Sequence, residues 1–240
     1  MHVEVPEHPA QSFKAFGLQY LMIVLSILTA LGLEELVTSV RHKRAGEVAQ
    51  QEIEAELREN LKEVRSCLRS NAEDSKKLQT LSAEYIRELK AGTPTVTLQE
   101  HLGSQARDVT LKGGILIPTL RREAWEVAVG NQSATYIAKP ALRTYAAAYA
   151  RQRDLSVGGS SNISIALNGS HLSDVVTDLD VGNAAPVEVL HVMRQLVMAI
   201  ASLNSNLRDL EKTLSATLSV PSDAPPPEAV PLIDSTAAAR

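Results

Sequence analysis

The feature that most constrains this chain is an uncharged apolar run near its start, which fills the interval between Lys14 and Glu34 and reads "AFGLQYLMIVLSILTALGL". The run has nineteen residues, and Gln19 is its only amide side chain. At about 1.5 Å of rise per residue, a helix of this length covers roughly 28 Å, close to the hydrocarbon thickness of a bilayer. We therefore predict a transmembrane helix at residues 15–34, with the lipid bilayer as its partner.

The flanks of the run favour an uncleaved anchor over two alternatives. Phe13, Phe16 and Tyr20, three of the eight aromatic residues in the chain, cluster at its N-terminal edge, which is typical of a membrane interface. A cleaved signal peptide is the first alternative, because Ala30-Leu31-Gly32 is a small-x-small cut site, and it would yield an exported soluble protein. The second alternative is a buried helix of a soluble core.

The rest of the chain predicts an all-α fold, with a helical bundle or coiled-coil-like domain and irregular loops after the transmembrane helix. Few aromatic residues lie beyond the apolar run, so a core of Leu, Val, Ile and Ala must form, and such a core suits helix packing. The expected organisation is a short polar N-terminal tail at 1–14, a helical domain at 35–219 and a disordered Pro/Ala-rich tail at 220–240. Long helices are predicted at about 35–91 and 186–218.

Both long helices carry apolar residues at helical spacing. The first has a stripe at spacings of three and four, formed by Ile53, Leu57, Leu61, Val64, Leu68, Leu78, Leu81, Tyr85 and Leu89. The second has a heptad seam at 189–214, formed by Val189, Met193, Leu196, Ile200, Leu203, Leu207, Leu210 and Leu214. We predict that the seam packs on the stripe of the same chain. The alternative is a homo-oligomer or a protein partner bound through the seam.

Several segments predict interruptions of the helices. Gly46 and the polar stretch 70–77 are points where the first long helix can bend or break. Residues 92–119 are loop-like, with "TPTVTLQEHL" and "LKGGILIPTL" as possible short strands. Pro140 lies inside an alanine-rich segment and predicts a kink or a junction of two helices. The Gly, Ser and Asn residues of 156–170 predict a loop.

Four aromatic residues are candidates for a ligand pocket. Trp125 offers a stacking surface, and Tyr136, Tyr145 and Tyr149 follow it in the chain. Tyr145 and Tyr149 are one helical turn apart, so we expect them to face the same neighbour. The alternative is that Trp125 is a core anchor, and we favour that interpretation.

The remaining candidates for chemistry are weaker. His171, Asp174 and Asp178 fall on one helix face and could ligate a metal, but one helix does not close a metal site, and a solvated polar face is the favoured interpretation. Cys67, the single cysteine, is more typical of a small apolar filler than of a nucleophile. We find no catalytic sequence motif and predict no cofactor and no enzymatic activity. The net charge of −4 with interspersed signs argues against nucleic acid as a partner.

The segments "YLMIVLSILTALGLEELV", "RHKR", "QEIEAELRENLKEV" and "EAWEVAVGNQSATYIAKPALRTYAAAYARQ" together resemble a group of uncharacterised bacterial single-pass membrane-anchored helical proteins. The resemblance covers roughly residues 15–152. It implies a membrane anchor and a helical fold, and it implies no activity and no catalytic residues.

The expected function is that of a membrane-anchored, non-enzymatic interaction or scaffolding protein. A membrane-tethered sensory domain with a ligand pocket at the aromatic residues is the alternative. Arg41, Lys43 and Arg44 follow the apolar run, whereas Lys14 is the only lysine or arginine before it. Since basic residues stay on the cytoplasmic side, we expect a bacterial inner-membrane protein with the bulk of the chain in the cytoplasm.

Overall fold

The computed structural model of the chain describes residues 9–105, 115–167 and 169–223, and this part is all-α, as predicted. Six α-helices and two short helical turns follow one another within the described residues. They are α1 (Pro9–Lys90), α2 (Thr95–Leu98) with a π-helical turn (Gln99–Gly103), α3 (Glu123–Gly130), a 3₁₀ turn (Ser133–Tyr136), α4 (Lys139–Leu167), α5 (Gly169–Asp180) and α6 (Pro186–Thr217).

Helix α1 is one uninterrupted helix of 82 residues, about 123 Å long at the usual helical rise. It begins at Pro9, so the last residues of the predicted polar tail are helical, while residues 1–8 lie outside the described part. Neither predicted weak point breaks it. A Cβ atom at Gly46 would lie 2.6 Å from the carbonyl oxygen of Tyr136, so this glycine allows the 3₁₀ turn to approach α1. The stretch 70–77 stays helical because its buried polar residues find partners.

Helix α6 packs antiparallel on α1 of the same chain, as predicted. The direction follows from two contacts, Asn71 with Asn204 and Arg65 with Glu211, because the later residue on α6 meets the earlier residue on α1. The heptad seam is buried within the chain, with at most 3% of any seam residue exposed. In the described part of the chain, this face of α6 is therefore covered by the chain itself.

Helix α4 packs beside α1 and α6 and runs parallel to α1. Tyr145 contacts Glu54, and Gln152 contacts Asn60 further along α1. Pro140 lies in the first turn of α4, where a missing N–H costs nothing, so the predicted junction of two helices is confirmed. The three long helices α1, α4 and α6 form the bundle.

A buried polar layer divides the bundle core into two apolar clusters. Asn71, Ser75 and Asn204, the polar side chains of this layer, are at most 3% exposed. The first cluster lies nearer the N-terminal half of α1 and includes Leu57, Leu61, Leu68, Tyr149, Leu207 and Leu210. The second lies towards the C-terminal end of α1 and includes Leu78, Leu81, Tyr85, Leu98, Val175, Met193 and Ile200. A paired amide layer of this kind favours one register of α6 on α1.

Two predictions about connecting segments are wrong. The possible strand "TPTVTLQEHL" is α2 and its π-helical turn, and Leu98 and Leu102 are buried against the second cluster. In the other possible strand, "LKGGILIPTL", residues 115–120 form no strand, and residues 111–114 lie outside the described part of the chain. The loop predicted at 156–170 is helical, because α4 continues to Leu167 and α5 begins at Gly169. Glycine, serine and asparagine each weaken a helix by less than about 1 kcal/mol, whereas proline is the residue that stops one, and 141–167 contains none.

Candidate functional site: an uncovered apolar helix on a closed bundle

The apolar part of α1 projects from the bundle without cover. Within the described residues, none of its most apolar 18-residue window is buried, and Leu25 and Leu28 are each 61% exposed. Its serine and threonine hydroxyls are satisfied locally, because Ser26 and Thr29 donate to backbone carbonyls one turn earlier, at 2.8 and 2.7 Å. This segment is long and apolar enough to cross a membrane, and hydroxyls bonded in this way suit lipid.

Helix α6 is also long and apolar enough to cross a membrane, but its position differs. Nearly half of its most apolar window, 44%, is buried inside the bundle, whereas the window on α1 is bare. The apolar seam of α6 contacts α1 and is buried, so the core of the bundle accounts for it. We therefore assign the candidate span to α1 alone among the described helices.

Tyr145 and Tyr149 face the same neighbour, α1, as predicted. The Tyr145 hydroxyl donates to Glu54 Oε1 at 2.7 Å, and the Tyr149 hydroxyl donates to Glu56 Oε1 at 2.5 Å. Both rings are buried, at 3% and 6% exposure. Burial raises the pKa of both hydroxyls well above the usual value, and the carboxylate acceptors raise it further. These groups therefore stay neutral and act as structural donors.

The other two candidate rings lie in different surroundings. Trp125 stacks on Tyr149, with ring centroids 5.2 Å apart, and packs against the first core cluster. Tyr136 stacks on His42 of α1 at 4.1 Å and remains 42% exposed. Because the 3₁₀ turn holds Tyr136 against α1, the four rings do not line one pocket. The position of Trp125 agrees with the favoured interpretation as a core anchor, and a ligand at these four residues stays a prediction.

Two asparagines on α1 bind the backbone of the segment before α3, an arrangement that the sequence analysis missed. The side-chain amide of Asn60 accepts from Arg121 N at 2.9 Å and donates to Arg121 O at 2.7 Å. Asn71 does the same with Leu116, at 2.9 and 3.0 Å. The segment therefore runs antiparallel to α1. Asparagines inside the apolar stripe were the available signal, because a buried amide must find partners.

A buried carboxylate near the end of α6 gathers four donors. Glu211 is fully buried, and its oxygens accept from Arg65, Ser215, Ser222 and the backbone N–H of Asp223. Burial pushes the pKa of Glu211 up, but these hydrogen bonds together outweigh it and hold the pKa below its usual value. Residues 221–223, predicted as part of the disordered tail, thus pack on the bundle, while 224–240 lie outside the described residues.

The predicted metal candidates do not converge. His171 Nε2 lies 3.2 Å from Glu188 Oε2 at the start of α6, while Asp174 and Asp178 are exposed. Among the residues that the structure describes, no three His, Cys, Asp or Glu side chains are placed to hold a metal ion. Cys67 is buried, and burial raises the pKa of its thiol, so it packs as an apolar filler.

A concave surface lies where the apolar part of α1 enters the bundle. It forms an open cavity of about 480 Å³ between α1 and α3. Arg41 and Arg44 lie at the end nearer the apolar run, Val48 and Val127 line its walls, and Glu52 lies at the far end. The cavity is therefore basic on the side of the candidate span and acidic on the other.

These features define an all-α protein in which a single helix provides both a candidate membrane span and the central element of a bundle. No protein-family model, curated protein or solved structure matches the chain. The resemblance to bacterial membrane-anchored helical proteins stays a prediction.

Proposed function

We propose that this chain is a single-pass, membrane-anchored interaction or scaffolding protein without catalytic activity. The observation that carries the proposal is the bare apolar segment of α1, which continues into the bundle as the same helix. An uncovered run of this length is unstable in water, since each exposed leucine would gain about 1.5–3 kcal/mol by leaving it. A bilayer is the environment that supplies that gain. The bundle is then held at a fixed position above the membrane.

The interior chemistry of the bundle supports binding rather than catalysis. Glu54, Glu56, Asn60, Asn71 and Glu211 each bond a side chain or backbone group of the same fold. Groups used in this way position helices and segments and are not free to act on a substrate. The sensory alternative gains no support from the aromatic residues, because two of the rings are buried against α1. We therefore place the partner-binding surface on the outside of the bundle.

We further propose that the protein resides in the bacterial cytoplasmic membrane with the bundle in the cytoplasm. Arg41, Lys43 and Arg44 lie on the bundle side of the apolar run, against Lys14 on the other side. Basic residues close to a span favour the cytoplasmic side. Glu34 and Glu35 stand between the run and these residues, which weakens the bias without reversing it.

The anchor predicts resistance to alkaline carbonate. We expect the full-length protein to stay in the membrane pellet, because apolar contact rather than charge holds it there. The variant Leu25→Arg/Leu28→Arg should move to the soluble fraction, since each arginine at the centre of a span costs about 2.5–3.5 kcal/mol. Western blots of pellet and supernatant measure the distribution.

The control for this variant adds two arginines elsewhere. Val181 and Val187 are 70% and 54% exposed outside α1, so Val181→Arg/Val187→Arg should stay in the pellet. Wild-type protein in the supernatant with an N-terminus near Leu33 would instead support the cleaved-signal alternative.

The topology predicts the behaviour of two reporters fused after Arg240. Because the bundle lies in the cytoplasm, a green fluorescent protein fusion should be bright and an alkaline phosphatase fusion inactive in cells. Fusion at this position leaves the contacts of Ser222 and Asp223 with Glu211 intact. An active phosphatase together with a dark fluorescent fusion would move the bundle to the outer side of the membrane.

The scaffolding role predicts a protein partner in the native membrane. Affinity purification of the full-length protein after mild solubilisation should recover the same partner in repeated preparations, at a fixed ratio to the bait. An ordered small molecule bound between the helices, with no protein partner, would favour the sensory function instead.

A further inference from the structure

Three basic side chains surround α1 just beyond the apolar run, and we name Arg41, Lys43 and Arg44 the basic collar. Arg41 follows Leu33 by eight residues, so its backbone lies about 12 Å beyond the end of the run along the helix axis. The headgroup layer occupies roughly 5–8 Å of that distance. Side chains of a helix lean towards its N-terminus, which is the membrane side of α1, so the collar leans towards the headgroups.

Two members of the collar lack an acidic partner in the fold. Lys43 lies 4.0 Å from Glu47, and both side chains are exposed. Arg41 and Arg44 make no ion pair or side-chain hydrogen bond within the described part of the chain, although both line the cavity between α1 and α3. Their guanidinium groups therefore remain available to an external anion.

The cavity between α1 and α3 carries the two arginines of the collar at its membrane-side end. Its mouth is basic and its walls include Val48 and Val127, which are 45% and 56% exposed, so it combines positive charge with apolar surface. The 3₁₀ turn that adjoins it is held against α1 by the stack of Tyr136 on His42. A phospholipid headgroup supplies an anionic phosphate on the membrane side of Arg41 and Arg44. Val48 follows Leu33 by 15 residues, about 22 Å along the helix, so the apolar walls lie beyond the reach of the acyl chains and the contact is with the headgroup alone.

We propose that Arg41 and Arg44 bind the headgroup phosphate of an anionic phospholipid in the leaflet on the bundle side of α1. This inference depends on the membrane anchor proposed above. Arginine forms two parallel hydrogen bonds with a phosphate, which makes it better suited than lysine to such a headgroup. Each basic residue near an anionic surface contributes about fivefold to binding, within a Debye length of about 10 Å. Glu34 and Glu35 oppose the attraction and keep the preference modest.

The test uses the full-length protein in nanodiscs that contain equal amounts of phosphatidylglycerol and phosphatidylcholine. Native mass spectrometry of the released protein gives the ratio of the two lipids that remain bound. We expect several-fold enrichment of phosphatidylglycerol for the wild type and a ratio near one for Arg41→Gln/Arg44→Gln. Higher sodium chloride during reconstitution should reduce the enrichment, since salt screens exposed charges.

The matched control removes two exposed positive charges from the same helix further from the membrane. Lys62→Gln/Lys76→Gln lies at least 18 residues beyond Arg44, or about 27 Å, so it should keep the wild-type lipid ratio. Both double variants should melt at the wild-type temperature, because all four side chains are at the surface. An equal loss of enrichment in both variants would show that net charge, rather than the collar, selects the lipid, and would overturn the proposal.

The two proposals fail in different ways. A wild-type protein that elutes apart from the nanodiscs would contradict the membrane anchor. A wild-type protein that enters the discs but retains the two lipids equally would contradict the lipid site alone. Binding of inorganic phosphate by a wild-type protein that retains the two lipids equally would indicate a site for free anions, and it would overturn the assignment to a lipid.

Discussion

Leu207→Asp is expected to abolish the cooperative unfolding of the bundle. Leu207 is fully buried in the first core cluster, at the interface of α6 with α1 and α4. The change removes a buried leucine and places an unpaired carboxylate in an apolar site, at a cost of roughly 4 kcal/mol or more. Whole domains are stable by only about 5–15 kcal/mol, so the loss is a large fraction of the total. Circular dichroism of the full-length protein in detergent measures the transition.

Met198→Asp is the matched control for this prediction. Met198 lies on the same helix and is 55% exposed, so the added charge stays in water. We expect its melting curve to remain within a few degrees of the wild type. Identical curves for Leu207→Asp and Met198→Asp would mean that α6 does not pack through its heptad seam.

Arg65→Ala should destabilise the protein by about 3 kcal/mol, the second-largest effect that we expect from a single substitution. Arg65 Nη2 lies 2.8 Å from Glu211 Oε1, and the glutamate side chain is 0% exposed. Removing the guanidinium leaves a buried carboxylate without its cationic partner. The remaining donors, Ser215, Ser222 and Asp223 N, keep the loss near the lower end for a broken buried ion pair.

A second ion pair on α6 provides the comparison. Arg151 and Asp209 lie 3.3 Å apart with side chains 39% and 56% exposed, so Arg151→Ala should cost no more than about 1 kcal/mol. Chemical denaturation of the wild type and both variants gives the free energies of unfolding. Equal losses for the two arginine variants would contradict the burial of Glu211.

The pH dependence follows from the lowered pKa of Glu211. A carboxyl group whose pKa is lower in the folded state stabilises the fold above its unfolded value of about 4.3, and this stability is lost as the pH falls through the folded value. Protonation of Glu211 also neutralises the carboxylate, so the loss of the positive charge of Arg65 then costs less. The difference in unfolding free energy between the wild type and Arg65→Ala should therefore shrink below about pH 4.

The sequence was sufficient for the parts of the fold that rest on helical periodicity. The stripe from Ile53 to Tyr85 and the seam from Val189 to Leu214 are both buried, because residues at spacings of three and four necessarily share a face. Weak local propensity was a poorer guide. The segment 156–167 was predicted as a loop from its Gly, Ser and Asn residues, and α4 nevertheless runs through it. Propensity costs of this size are small beside tertiary packing.

The polar contacts of the bundle were beyond sequence reasoning. Arg65 and Glu211 are 146 residues apart, and Asn60 and Arg121 are 61 apart, so no local spacing relates either pair. Each contact depends on the register in which α6 or the 115–122 segment lies on α1. The register is fixed only in the assembled fold. The apolar pattern alone is compatible with several registers of α6 on α1.

The two asparagine contacts with the segment before α3 constrain the number of residues in that segment and leave its side chains free to vary. Asn60 and Asn71 are 11 residues apart on a helix, about 16.5 Å. Leu116 and Arg121 are five residues apart, and five residues span about 16.5 Å when fully extended, so the segment needs nearly its full length to reach both asparagines. The distance between the two asparagines on α1 therefore fixes the length of the segment. Many side chains are compatible with such a segment, because the amides bind only its backbone. A single residue deleted between Leu116 and Arg121 would shorten its greatest span by about 3.3 Å, so that only one of the two asparagines could hold it at a time.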